Sequence, residues 1–131
     1  MTSKTPKTDS NSFAALGLDE GIVAALNQLR YEEPTPVQRE AIPPLLLGRD
    51  LVGQAATGTG KTAAFALPLV QRLAAQPDRI RPSAIVLVPT RELCMQVAEA
   101  VHRYGKSLGI VSFPIWRPGV RPANPRPAAR R

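Results

Sequence analysis

Very little in this chain can make covalent or metal cross-links. Its single cysteine, Cys94, excludes an internal disulfide, and a lone thiol suits a reducing compartment. With only one histidine, His102, beside that cysteine, a His/Cys metal site is excluded too. Aromatic residues make up 5% of the 131 residues, as in an ordinary soluble α/β protein. No stretch approaches the roughly 18 apolar residues of a membrane span. Met1 to Ser12 is polar and carries no apolar signal region, so the expected location is the cytoplasm. Acidic residues are in deficit, and the net charge is +7. That excess is local. Five arginines from Arg117 to Arg131 carry +5 and the arm around Lys4, Lys7 and Asp9 carries +1, which leaves +1 for Ser10–Trp116. A high isoelectric point is therefore weak evidence here for nucleic-acid binding.

By length the chain holds one domain with a single core. Three parts are expected: an arm over residues 1–11, an ordered body over 12–116, and a tail over 117–131. The arm is rich in Ser, Thr and Lys, and so is expected to be disordered. In the body, Ile22, Val23, Leu26 and Leu29 recur at helical spacing after Asp19, a candidate N-cap. A second amphipathic helix is expected after Thr35, with Pro36 in its first turn. Pro43 and Pro44 should kink or shorten it. Further helices are expected from Lys61 to about Ala75, with a bend at Pro68, and from Thr90 to about Gly105. Strands are expected at Asp50–Gln54, Ala84–Val88 and Ile110–Trp116. The run Ala84-Ile85-Val86-Leu87-Val88 is apolar throughout, the mark of a strand buried on both faces. Strands alternating with helices predict a parallel, right-handed, doubly wound sheet, with ligands beyond the strands' carboxyl ends.

One such end carries Ala55-Ala56-Thr57-Gly58-Thr59-Gly60-Lys61-Thr62. A Gly-rich loop between a strand and a helix that opens on Lys-Thr is the layout of a phosphate-binding loop. Glycine lets the backbone approach an anion, and the helix N-terminus adds partial positive charge. The amides of Gly58 to Thr62 can face phosphate oxygens, Lys61 can reach the β and γ phosphates, and the Thr62 hydroxyl can ligate Mg²⁺. The strict pattern has Gly where this chain has Ala55. A Gly/Thr-rich turn that merely precedes a lysine is the bland alternative.

Three stretches in order resemble the first motifs of DEAD-box RNA helicases: Tyr31 to Gln38 (Y-E-E-P-T-P-V-Q), Ala55 to Thr62, and Pro89-Thr90-Arg91-Glu92-Leu93. The resemblance covers about Phe13 to Trp116, and Ala55 matches that superfamily's version of the loop. It implies a partial RecA-like α/β domain that takes ATP with Mg²⁺ and holds RNA. Gln38 would read the adenine edge with one donor and one acceptor, a pattern that selects ATP over GTP. Tyr31 would stack on the base, Phe13 would be the upstream aromatic, and Pro34 and Thr35 would fix the loop. Plain core packing is the competing reading for Phe13. Ala56, Thr57, Gly58, Thr59, Gly60, Lys61 and Thr62 would line the phosphates. Pro89, Thr90 and Arg91 would grip the RNA backbone without reading its sequence; a surface ion pair is the alternative for Arg91. Arg30 stands where the family usually carries glycine, a departure that bears on the loop's geometry.

The motif Asp-Glu-Ala-Asp occurs nowhere in the 131 residues, nor does a Ser-Ala-Thr motif. The resemblance implies that those carboxylates and a second domain's arginines are needed for hydrolysis, so this chain alone is expected to be inactive. Residues 117–131 are Pro, Arg and Ala-rich with no apolar period. They read as a frameshifted tail, the alternative being a basic RNA-binding arm. Two other functions stay open: a non-enzymatic nucleotide- or RNA-binding module, and an unrelated phosphate-loop enzyme such as a kinase.

Overall fold

The computed structural model describes residues 11–76 and 82–116; the expected arm, the loop at 77–81 and the tail lie outside them. Four helices carry the fold: α1 (Glu20–Gln28), α2 (Pro36–Leu46), α3 (Lys61–Ala74) and α4 (Arg91–Gly105). Short 3₁₀ turns precede α1 at Ala14–Leu16 and follow α4 at Lys106–Leu108.

All four helices fall where apolar periodicity places them. Asp19 is the N-cap of α1 by backbone conformation, but its side chain makes no capping bond. Its own N–H instead donates to Oε1 of Gln71 on α3 (2.7 Å). Thr35 caps α2 with its hydroxyl, as Thr90 does for α4, each satisfying an amide that the helix leaves without a partner. The helix α2 is not cut short at Pro43 and Pro44 and runs on to Leu46. Both prolines sit in its last turns, where each forgoes one i→i−4 amide bond without ending the helix. Gly48 (φ +79°) then ends it. The Gly48 N–H bonds to the Leu45 carbonyl and the Arg49 N–H to that of Pro44, the pairing of a Schellman close.

The same close ends α1, with Arg30 in the glycine position. Arg30 has φ +61°, its N–H bonds to the Asn27 carbonyl, and the Tyr31 N–H bonds to that of Leu26. The departure seen in the sequence is thus a backbone departure, since an arginine holds a left-handed conformation that glycine adopts freely.

Helix α3 is the centre of the packing and lies against α2 and α4. Ala63, Ala64 and Ala66 on its first turns are buried, and small side chains there permit close approach. The core joins Ile22 and Leu26 of α1, Ile42 of α2, Leu67 and Val70 of α3, and Val97, Val101 and Tyr104 of α4, with Phe13 and Ile110. Full burial of an aliphatic side chain of this size contributes about 1.5–3 kcal/mol.

The expected sheet is not seen among the described residues. Among the described residues no strand occurs, and residues 51–56, 82–88 and 110–116 carry no regular structure. Val52, Ile85 and Leu87 are 101%, 83% and 90% exposed. A strand exists only as one side of a hydrogen-bonded ladder, and a run buried on both faces needs covering layers on both. Neither is supplied here, so the apolar runs lie open.

Candidate nucleotide and nucleic-acid sites

The loop before α3 has the backbone of an anion cradle. Gly58 and Gly60 hold φ +82° and +87°. Thr59 closes the turn by donating its hydroxyl to the Ala56 carbonyl (2.6 Å). Gly60 is the N-cap of α3, and the first turn of that helix contains no acidic residue. Lys61 is exposed and Thr62 half-buried. Helix-start amides, an exposed ammonium and a first turn without acidic residues suit a polyphosphate.

Gln38 is the principal finding at this site. It is 2% exposed, the only buried polar residue among those described, so it is not a solvated helix residue. Its Oε1 accepts from the Thr35 N–H (3.0 Å), while its own N–H donates to Thr35 Oγ1 (3.4 Å). Together these bonds form a capping box. Its Nε2 donates to the Gly60 carbonyl (3.1 Å). One side chain therefore ties the start of α2 to the N-cap of α3. A Cβ on Gly60 would run into Gln38 Nε2 and lie 3.2 Å from Thr35 Oγ1. One amide hydrogen and one lone pair of Gln38 remain for a ligand. The Thr-x-x-Gln spacing was a legible sign of the capping box; the reach to Gly60 had no sign in the sequence.

The loop before α2 is pinned from several sides. Arg39 Nε donates to the Pro34 carbonyl (3.0 Å), and its Nη2 lies 3.7 Å from Glu33 Oε2. Asn11 Nδ2 donates to the same carboxylate (3.2 Å). Pro34 is buried. Phe13 is both a core residue and an edge-on neighbour of Tyr31, with ring centroids 6.3 Å apart at 72°. Tyr31 also meets Tyr104 of α4 edge-on, at 6.1 Å and 81°, with the two hydroxyls 2.9 Å apart. Burial and the bond to Tyr31 push the Tyr104 phenol well above its ordinary range. Nothing in the sequence singled out Tyr104.

A separate cluster stands at the start of α4. Thr90 Oγ1 accepts from the Leu93 N–H (3.2 Å), and a hydroxyl that accepts still carries a proton to donate. The Arg91 guanidinium lies 4.8 Å from the centroid of the Trp116 ring, a cation–π distance. Among the described residues Arg91 makes no ion pair. A shallow groove of about 660 Å³ runs from Arg91 along α4 to His102. The structure thus joins Thr35, Gln38 and Gly60 directly, joins Phe13 to Tyr31 through their rings, and keeps Thr90 and Arg91 apart as a cluster of their own.

The family model "DEAD/DEAH box helicase" matches residues 35–118. The chain is 55% identical over 97 residues to the ATP-dependent RNA helicase DeaD of Escherichia coli K12, covering 74% of this chain and 15% of that protein. It is 42% identical over 105 residues to the DEAD-box ATP-dependent RNA helicase CshA of Bacillus cereus, covering 80% and 20%. Among solved structures it resembles the RNA helicase Prp28 of Chaetomium thermophilum bound to ADP, with a TM-score of 0.71 and 40% identity over 76% of this chain and 25% of that one. Dbp5 of S. cerevisiae bound to RNA and ADP BeF3 gives a TM-score of 0.66 and 37% identity over 73% and 25%. The chain therefore spans a quarter or less of the length of these relatives. With a family match across more than half of its residues, and with both the cradle and the Thr35–Gln38 capping box inside that match, the chain belongs to the DEAD/DEAH box helicase family.

Proposed function

We propose that this chain is the ATP- and RNA-binding N-terminal part of the first RecA-like domain of a DEAD-box RNA helicase, and that by itself it binds ATP without turning it over. The observation that carries the reading is the Gln38–Gly60 bond. It couples the loop expected to read adenine to the loop expected to hold phosphate. That contact supports reading two motifs that are remote in the sequence as one site.

The residues fit the nucleotide. The amides of Gly58 to Thr62 and the exposed Lys61 ammonium would hold the polyphosphate, with Ala56 and Thr57 forming the near wall. The Thr62 hydroxyl would take one position on the Mg²⁺ that accompanies ATP. Gln38 would offer its remaining hydrogen and lone pair to the adenine, and Tyr31, backed by Phe13, would stack on it. Pro34 and Thr35 hold that loop in place. Bound ATP and Mg²⁺ would supply the scissile phosphoanhydride and the charge that stabilises its transfer. The chain's own residues bind and orient. The 131 residues lack Asp-Glu-Ala-Asp, the motif whose carboxylates the resemblance assigns to the Mg²⁺ and the attacking water. Phosphoryl transfer relies on such positioned groups, and an arginine finger alone is worth about 10³–10⁵ in rate.

Pro89, Thr90 and Arg91 would meet an RNA backbone, since the Thr90 donor and the Arg91 charge lie together at a helix N-terminus. Residues 50–54, 84–88 and 110–116 would become strands of a parallel sheet once neighbouring strands are present. The body is assigned to residues 12–116 and the site of action to the cytoplasm.

Calorimetric titration with Mg-ATP and Mg-GTP tests the reading. The expected result is measurable binding of ATP, weaker binding of GTP, loss of both with Lys61→Ala, and no phosphate release. Equal or stronger binding of GTP would favour a different phosphate-loop enzyme. No nucleotide binding, with RNA binding intact, would leave a non-enzymatic RNA module.

A further inference from the structure

We propose that Tyr104 is a positioning residue for nucleotide binding: its buried hydroxyl holds the Tyr31 ring in the orientation that receives the base. The inference rests on the assignment of Tyr31 as the base-stacking residue and adds a residue outside every motif discussed above.

Tyr31 follows directly on the left-handed Arg30, so its backbone is set by the close of α1. That constraint leaves the side chain's torsions free. Tyr31 is 36% exposed, as a residue offered to a ligand should be, and an exposed ring on a loop is free to swing. Two contacts oppose the swing. Phe13 meets Tyr31 edge-on, a contact that many tilts would satisfy. The hydrogen bond to Tyr104 is more demanding, because it fixes the far end of the ring at 2.9 Å from a single atom. Tyr104 is 3% exposed and sits on α4 among the core residues, so the anchor is stationary. Its hydroxyl has Tyr31 as its hydrogen-bond partner among the described residues. A buried hydroxyl is retained at a cost unless it is bonded. A phenylalanine would fill the same core volume without that demand. The hydroxyl's consequence on this surface is to steer Tyr31.

The test compares two ligands that share the phosphate part of the site. Mg-ATP uses the base platform, whereas inorganic tripolyphosphate with Mg²⁺ does not. Tyr104→Phe keeps the ring in the core and leaves the Tyr31 hydroxyl free to bond water, so the fold is preserved. The expected result by calorimetry is a loss of about 3- to 10-fold in ATP affinity, the worth of one ordinary hydrogen bond, with tripolyphosphate affinity unchanged. Tyr31→Phe should give a similar loss, and the double variant no more than either single one. ATP affinity equal to that of the unaltered chain, or parallel loss of both ligands, would overturn the proposal. Lys61→Ala separates the two levels. If that variant abolishes ATP binding while Tyr104→Phe has no effect, only the positioning role fails. If Lys61→Ala binds ATP as well as the unaltered chain does, the nucleotide site itself is misassigned and the role of Tyr104 falls with it.

Discussion

Replacing Arg30 with glycine should stabilise this protein. Arg30 closes α1 at φ +61°, between the amide bonds that run from Arg30 to Asn27 and from Tyr31 to Leu26. Two equivalent closes in the same chain use glycine: Gly48 at φ +79° after α2 and Gly109 at φ +71° after the turn that follows α4. A left-handed conformation raises a residue with a Cβ by about 1–2 kcal/mol over glycine. Glycine in turn raises the entropy of the unfolded chain, which offsets about 0.4–1 kcal/mol of the gain. The Arg30 side chain is exposed and makes no hydrogen bond or ion pair among the described residues, so nothing else is lost. Arg30→Gly should therefore add about 0.5–1 kcal/mol. For a domain near 100 residues that is a rise of about 2–8 °C in Tm. Thermal and urea melts followed by circular dichroism read the change, with Arg30→Ala as control. Alanine keeps the unfavourable φ and should melt like the original. A lower Tm for Arg30→Gly, or an equal rise for Arg30→Ala, would show that the left-handed backbone is not what holds stability down at this turn.

Three further outcomes follow from the same geometry. Gly60→Ala combines a left-handed φ of +87° with a collision against Gln38; it should destabilise by about 2 kcal/mol or more and weaken Mg-ATP binding, both checked by melting and calorimetry. Gly105→Ala would place its Cβ 2.6 Å from Ile110 Cβ at ordinary φ, so overpacking alone should remove about 1–3 kcal/mol in urea unfolding. Alkali should weaken the fold through Tyr104, whose neutral phenol burial favours. That contribution is intact below the unfolded tyrosine pKa of about 10 and fades as pH rises above it. Melts from about pH 8 to about pH 11, roughly two units below that value to one above it, should therefore fall less steeply for Tyr104→Phe than for the original.

The helices were legible because their signals are local. Periodic apolar residues, Thr35 and Thr90 as caps, and Gly48 as a stop all act within a turn or two. The glycine-rich turn before α3 was legible for the same reason, since Gly58, Gly60 and Lys61 are neighbours in the chain. Strand pairing is not a local signal. Ala84–Val88 has the composition of a buried strand, but whether it pairs is decided by distant segments, and among the described residues none pairs with it. Contacts across the fold were illegible too. Nothing in the spacing of Gln38 and Gly60, or of Tyr31 and Tyr104, predicts that their polar atoms meet. Arg30 falls between these cases: its oddity showed in the sequence, and its φ showed what the oddity was.

The central claim is that one site joins the Gln38 loop to the phosphate loop. Amide chemical shifts of the ¹⁵N-labelled chain during titration with Mg-ATP test it most directly. The largest shifts are expected on the amides of Gly58 to Thr62 and on the Gln38 side-chain NH₂, with smaller shifts at Tyr31. Shifts confined to other surfaces, or shifts at the phosphate loop with Gln38 unmoved, would contradict it.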